Sequence, residues 1–267
     1  MNIKKIRLAL IGKDVSKSTS EQIHKFILAK LGVECAYTRF SVPVEDFDST
    51  MRTLMGDFDG FNVTIPYKRD VMGYLSEVTG DALDYGAVNT VVTASGKGYN
   101  TDGAGFLLML QAAKIAVKNK KILVLGGGGS GRSTAVALKK SGGQVFMYQR
   151  RREKLLETCA ELHITPADSA EEGVFDILIN CTGVGMHDSE GISPVKAQAF
   201  RGASVAIDLI YTPEKSEFLK LAEGQGLQIL NGAAMLFYQA YFADCLYLGI
   251  EPNVEQATEL YRQFQQK

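Results

Sequence analysis

The chain has 267 residues, enough for two domains of ordinary size, and its 46% hydrophobic and 22% charged residues are those of a globular protein. The formal net charge is −1, so no global excess draws it to nucleic acid or to a membrane surface, and any phosphate must be met by a local cluster of charge. Four cysteines without a CxxC pair and three scattered histidines argue against a zinc site or a disulfide framework and fit idle thiols in a reducing compartment.

Met1–Leu10 carries lysines at 4 and 5 and runs directly into a strand, without the long apolar core and cleavage site of a secretion signal. No apolar run is long enough to span a bilayer, so a cytoplasmic protein is expected. Ile6–Ile11 is a short apolar run closed by Gly12. Ser20 then stands where a helix N-cap would, ahead of Ile23, Phe26, Ile27 and Leu31 at helical spacing. A second strand is predicted over Cys35–Val42, a second helix over Val44–Met55, a third strand over Gly60–Ile65 closed by Pro66, and a further strand over Val88–Val92. Gly105–Ile115 reads as an apolar helix and Lys118–Lys121 as a solvated basic stretch. Strand Ile122–Leu125 leads into the glycine turn Gly126–Gly129, then helix Ser133–Lys140, strand Val145–Tyr148 and helix Lys154–Leu162. Strands Ile177–Asn180 and Val205–Ile210 and helices Ala233–Leu248 and Val254–Gln265 complete the chain. Apolar runs alternating with helix-period segments predict the α/β class with parallel strands. Boundaries fall around 102 and 235.

Gly126-x-Gly128-x-x-Gly131 follows a predicted strand and opens a helix, which is the context a dinucleotide-binding turn requires. Glycines let a pyrophosphate approach the main chain, and the free amides and dipole of the helix start hold it. Where an NAD site would place an acidic residue at the end of the second strand, this chain has Gln149-Arg150-Arg151-Arg152, with Lys154 beyond. Guanidinium groups suit a 2′-phosphate, so NADP is the expected cofactor.

Three stretches of the first half carry more polar groups than turns need: Asn62–Lys68 with Thr64, Gly86–Thr90 with Asn89, and Asn100-Thr101-Asp102-Gly103. Such a spread suits a substrate rich in hydroxyls. A lysine oriented by an aspartate exchanges a proton with an alcohol, which makes Lys68 and Asp102 a candidate catalytic pair. Read singly, Asp102 is also a helix N-cap and Lys68 a surface lysine, and the local sequence leaves those readings open.

Taken in order, Asn62-Val63-Thr64-Ile65-Pro66-Tyr67-Lys68, Gly86–Thr90, Asn100-Thr101-Asp102-Gly103, Gly126–Ser130 with Arg132, Asn180-Cys181-Thr182 and Gly232 through Met235-Leu236 to Gln239 resemble the shikimate dehydrogenase family over nearly the whole chain. The resemblance implies an N-terminal α/β substrate domain, residues 1–102 with about 236–267 returning to it, a Rossmann-type NADP-binding domain over 103–235, and a cleft between them. It implies reversible NADPH-dependent reduction of 3-dehydroshikimate to shikimate, a step toward chorismate and the aromatic amino acids, by a monomer or homodimer. Lys68 and Asp102 would be catalytic. Ser18 and Ser20 would hold the substrate carboxylate, and Asn62, Thr64, Asn89, Tyr211 and Gln239 its hydroxyls. Gly126, Gly128, Gly129, Ser130, Gly131, Arg132, Gln149, Arg150, Arg151, Lys154, Thr182, Gly232 and Met235 would line the cofactor site. The chain departs from the family pattern at Lys17, where histidine is usual, and at Glu21, where proline is usual. Lys17 could assist a carboxylate, whereas Glu21 would repel one unless it points away. Two other readings stay open here: preference for quinate or NAD, and an NADP-binding sensor that does no chemistry.

Overall fold

The computed structural model describes residues 4–266; positions 1–3 and 267, which belong to the expected substrate domain, lie outside the described residues. The strands are β1 (Lys4–Gly12), β2 (Val33–Ser41), β3 (Gly60–Val63), β4 (Glu77–Val78), β5 (Thr90–Val92), β6 (Lys97–Tyr99), β7 (Lys121–Leu125), β8 (Gln144–Tyr148), β9 (Thr165–Pro166), β10 (Ile177–Asn180), β11 (Val205–Asp208) and β12 (Gln228–Asn231). The helices are α1 (Ser20–Lys30), α2 (Phe47–Asp57), α3 (Gly80–Tyr85), α4 (Asp102–Ala112), α5 (Gly129–Lys140), α6 (Arg152–Leu162), α7 (Glu217–Glu223), α8 (Ala233–Leu248) and α9 (Val254–Phe264). The chain divides into two compact units, Met1–Leu108 with Leu236–Lys267, and Met109–Met235. The changeovers therefore lie inside α4 and α8, so that the first falls within the helix that Asp102 opens rather than ahead of it.

The first unit is built on a sheet of order β2-β1-β3-β5-β6-β4. Period-two alternation in β1 divides its side chains between two cores. Ile6, Leu8 and Leu10 pack with Leu28 of α1 and with Ala243 and Tyr247 of α8. Ala9 and Ile11 face Phe47, Met51 and Leu54 of α2. The returning helices close over α1 through aromatic rings: Phe237 of α8 meets Phe26 at 6.3 Å and Phe264 of α9 at 5.3 Å. One expectation needs correcting, since this sheet is mixed: β5 runs antiparallel to both β3 and β6. The short turn that joins β5 to β6, with Gly96 at φ +65°, leaves no room for the dozen or more residues that a parallel crossover needs. Ser20 also differs from its expected place, because it opens α1 while Thr19 holds the N-cap position without a capping side chain.

The second unit holds a sheet of order β12-β11-β10-β7-β8-β9 in which every pairing is parallel. Counted from its first strand, this is the doubly wound 3-2-1-4-5-6 order of dinucleotide-binding folds. Strands β10 and β11 are buried along their whole length, as parallel strands covered on both faces must be. The order reverses between β7 and β10, so the glycine turn leaving β7 and the Asn180 end of β10 share the edge where such folds bind ligands. No helix among the described residues is long and apolar enough to cross a membrane.

Candidate active site

Lys68 follows β3 and a turn whose anchor is Tyr67. That ring is buried, stacks on Phe47 at 4.4 Å, and donates its hydroxyl to the Val42 carbonyl at 2.5 Å. The Lys68 carbonyl accepts from the Val88 amide at 2.7 Å, which fixes the main chain on both sides of the lysine. Asp102 opens α4, where the positive end of the helix dipole favours a carboxylate. Its amide donates to Asn100 Oδ1 at 3.0 Å, and the Asn100 amide group is in turn tied to the Ala87 carbonyl at 2.8 Å.

From these two anchors Lys68 Nζ donates to Asp102 Oδ2 at 2.5 Å, with 11% and 8% of the side chains exposed. Desolvation to that degree strengthens the attraction while leaving the ammonium reachable. The other carboxylate oxygen, Oδ1, accepts from Asn89 Nδ2 at 2.7 Å. Asn89 shares the same amide group with Thr101 Oγ1 at 3.0 Å and Gln239 Oε1 at 3.3 Å. Its Oδ1 receives the Thr101 amide at 2.9 Å and the Thr90 hydroxyl at 2.8 Å. Gln239 reaches this network from α8 because Gly105 lets α4 pass close by: a Cβ at 105 would lie 2.6 Å from the Gln239 nitrogen. Asn62 donates to the Asn89 carbonyl at 3.3 Å and accepts the Tyr37 hydroxyl at 3.2 Å. The structure thus brings Lys68, Asp102, Asn62, Asn89 and Gln239 into one hydrogen-bonded cluster. Sequence reasoning did not assign Tyr37 and Thr90 to it: Tyr37 lies in the middle of β2, away from every polar stretch, and Thr90, at the end of the Gly86–Thr90 stretch, reads as the first residue of β5.

Ser18 donates to Ser20 Oγ at 3.0 Å, and its own Oγ accepts the Ser20 amide at 3.2 Å, so the two hydroxyls share the entry to α1. Thr64 is half-buried against Gly12, where a Cβ would approach its methyl to 2.5 Å. Glu21 is committed elsewhere: its carboxylate takes Lys25 at 2.8 Å and Arg39 at 3.4 Å. The hydrogen bond from Lys25 and the charges of Lys25 and Arg39 hold its pKa below the ordinary value. Arg39 also donates to the Ser16 carbonyl at 2.6 Å, which ties the serine loop to β2. Lys17 is exposed.

In the second unit each glycine of the turn has its own reason. Gly126 holds φ +98°, and a Cβ there would press on Thr182 at 2.9 Å. A Cβ at Gly131 would meet the Gly126 carbonyl oxygen at 2.1 Å, while one at Gly128 would meet nothing within 4 Å. The turn is closed by packing at its ends and open at its middle, where a pyrophosphate would approach the amides of Gly128–Gly131 at the start of α5. Gln149 lies across Gly127, with its Nε2 at 2.1 Å from where a Cβ would be. Arg150, Arg151 and Lys154 are exposed and form no ion pair among the described residues. Arg152 pairs with Asp168 at 2.7 Å. Arg132 is buried, and its guanidinium meets Glu161 of α6 at 2.7 Å, so this side chain braces α5 against α6. Thr182 accepts the Val184 amide at 3.2 Å and donates to Asn180 Oδ1 at 2.6 Å, beside the turn. Tyr211 follows β11 and is partly exposed, and Met235 is buried. Gly232 meets the Leu209 backbone so closely that a Cβ would lie 2.0 Å from its oxygen. The cysteines are free, and burial pushes Cys35 up to about 12 and Cys245 up to about 11, which leaves both thiols inert at neutral pH.

Comparison with known proteins points to one family. Residues 10–91 match the profile of the shikimate dehydrogenase substrate binding domain. The chain is 35% identical to the shikimate dehydrogenase (NADP(+)) of Thermus thermophilus over 96% of its own length and 98% of that protein's. It is 38% identical to the shikimate dehydrogenase (NADP(+)) of Caldanaerobacter subterraneus subsp. tengcongensis, over 90% of each chain. Among solved structures, it is similar to the shikimate 5-dehydrogenase of Thermus thermophilus in complex with NADP(H) and shikimate, with a TM-score of 0.88 and 34% identity over 97% of this chain and 99% of that one.

Proposed function

The chain belongs to the shikimate dehydrogenase family, and on that premise we propose that it is a cytoplasmic enzyme that reversibly reduces 3-dehydroshikimate to shikimate with NADPH, a step toward chorismate and the aromatic amino acids. The observation that carries the reading is the Lys68–Asp102 pair, an ammonium and a carboxylate 2.5 Å apart and mostly withdrawn from water. Lys68 protonates the oxygen of the ketone as it becomes an alcohol, and in the reverse direction takes that proton back. Asp102 holds the ammonium in line and stabilises its charge. Asn89, bound to the second carboxylate oxygen, keeps Asp102 from turning away. Asn62, Thr64, Asn89 and Gln239 receive the ring hydroxyls, and Ser18 and Ser20 the carboxylate, with the charge of Glu21 drawn off onto Lys25 and Arg39.

The second unit fits the dinucleotide by the same test of shape: a turn closed at Gly126 and Gly131, open at Gly128, with exposed Arg150, Arg151 and Lys154 beyond β8. Gly126, Gly128, Gly129, Ser130 and Gly131 would cradle its pyrophosphate and the two arginines with Lys154 its 2′-phosphate, Gln149, Thr182, Gly232 and Met235 bordering the site and Arg132 bracing it from within. Bound there, NADPH supplies the hydride. The test is the absorbance of NADPH formed from shikimate, repeated with quinate and with NAD. Turnover fastest with shikimate and NADP is expected. Tight NADP binding with no turnover on either ring acid would overturn the reading.

A further inference from the structure

Behind the polar cluster lies a buried pair that the mechanism does not use. His24 of α1 and Asp244 of α8 are both fully buried, with His24 Nδ1 and Asp244 Oδ1 2.6 Å apart. His24 Nε2 and Asp244 Oδ2 have no hydrogen-bond partner in the structure. Burial drives the Asp244 pKa up, and the His24 ring pulls it back. Two apolar residues of similar volume would commonly be at least as stable in such a place, so stability is a poor reason for this pair. Its geometry gives a better one.

The Asp244 contact fixes the plane of the His24 ring, and that ring stacks on Tyr37 with centroids 5.1 Å apart and planes 18° from parallel. Tyr37 is buried, and its hydroxyl donates to Asn62 Oδ1 at 3.2 Å. With Oδ1 so engaged, Asn62 must present its amide hydrogens to the Asn89 carbonyl at 3.3 Å and to Thr90 Oγ1 at 3.4 Å. A flipped amide would set its oxygen against the Asn89 carbonyl oxygen, two acceptors with no proton between them. Asn89 in turn holds Asp102.

We propose that His24 and Asp244 are positioning residues for the substrate site, fixing through Tyr37 which way the Asn62 amide faces. The inference rests on the reading above in one respect, that Asn62 meets substrate. Its effect belongs to ground-state recognition of the ring acid, because the Lys68–Asp102 contact itself does not pass through Tyr37.

The test has two independent readouts on the full-length protein. The first is the side-chain amide 15N–1H signal of Asn62, identified by its loss in Asn62→Ala. Tyr37→Phe and Asp244→Asn change few atoms, so the outcome does not depend on whether the bulkier changes His24→Leu and Asp244→Leu fold. In Tyr37→Phe, His24→Leu and Asp244→Leu the Asn62 signal should move and its protons exchange faster, while Asp244→Asn, which keeps an acceptor for His24, should stay near wild type. The second readout is steady-state kinetics, where the same three variants should raise KM for shikimate about tenfold with kcat and KM for NADP little changed. An Asn62 signal unmoved in Tyr37→Phe, or equal losses in kcat and in both KM values, would overturn the proposal. If the wild-type protein turns over no ring acid, the proposed reaction fails and the amide signal alone decides the positioning role.

Discussion

Lys68 and Asp102 stand 34 residues apart in the chain and meet with about a tenth of each side chain exposed. Removing the ammonium leaves substrate contacts in place but takes away the proton, so Lys68→Ala should lower kcat roughly 100-fold or more with little change in KM, as measured by initial rates with shikimate and NADP. Near-wild-type kcat would remove Lys68 from the chemistry. The residue types and order of this pair were legible in the sequence, because three polar stretches each ended an element and matched a family pattern in sequence order. What Asn89 does was not. Its bond to Asp102 spans 13 residues and its bond to Gln239 spans 150, and no local pattern records a contact of that length. Glu21 shows the same limit in reverse: a charge that looked hostile to a bound carboxylate is neutralised by Lys25, one helical turn away, and by Arg39 on the neighbouring strand.

At the level of elements, α4 and α8 were legible as helices because they are apolar all round, the mark of helices buried on every side. That they nearly touch depends on one missing side chain. Gly105→Ala would push a methyl group into the backbone of Gln239, 2.6 Å from its nitrogen. It should cost about 1–3 kcal/mol of stability in denaturant unfolding and lower kcat/KM by shifting Gln239 off Asn89. Wild-type stability together with wild-type activity would show that the two helices part without consequence. The elements that sequence reasoning missed are short: β4, β6 and β9 have two or three residues each and β12 four, while helices α3 and α7 have six and seven, all too few to show a period, and the strands form only because a neighbouring strand offers its edge. The antiparallel course of β5 escaped for a related reason, since alternating apolar runs look alike whichever way a strand points.

Over the whole molecule, two fully buried carboxyls set a slope in stability against pH. Burial raises the pKa of Asp208 above its ordinary 3.8, against the opposing hydrogen bonds from Ser216, Ile210 and Asn180, and burial likewise raises Asp244. A raised folded-state value means that the native protein holds the proton after the unfolded chain has released it. Stability contributed by the protonated form is therefore greatest below 3.8 and declines as pH rises through the folded-state values. Asp208→Asn, which cannot ionise, should flatten that decline in a series of thermal midpoints from mildly acidic to neutral pH. An unchanged slope would show that Asp208 titrates alike in both states. Sequence reasoning placed the first changeover near 102, ahead of the helix; its position inside α4 was not legible, because one continuous helix serves both units.

That division has a consequence during synthesis. Met109–Met235 is one uninterrupted stretch, so once it has left the ribosome all its strands are in hand and it can close while translation continues. The other unit emerges first yet waits longest, lacking α8 and α9 until the stretch beyond Met235 has been translated. Until then Leu8, Leu28 and Phe26 have no covering helix, His24 has no carboxylate and Asn89 has no glutamine. A polypeptide stalled short of Gln239 would thus carry a finished nucleotide fold beside an incomplete site, and a nascent chain could bind its coenzyme before it could reduce anything.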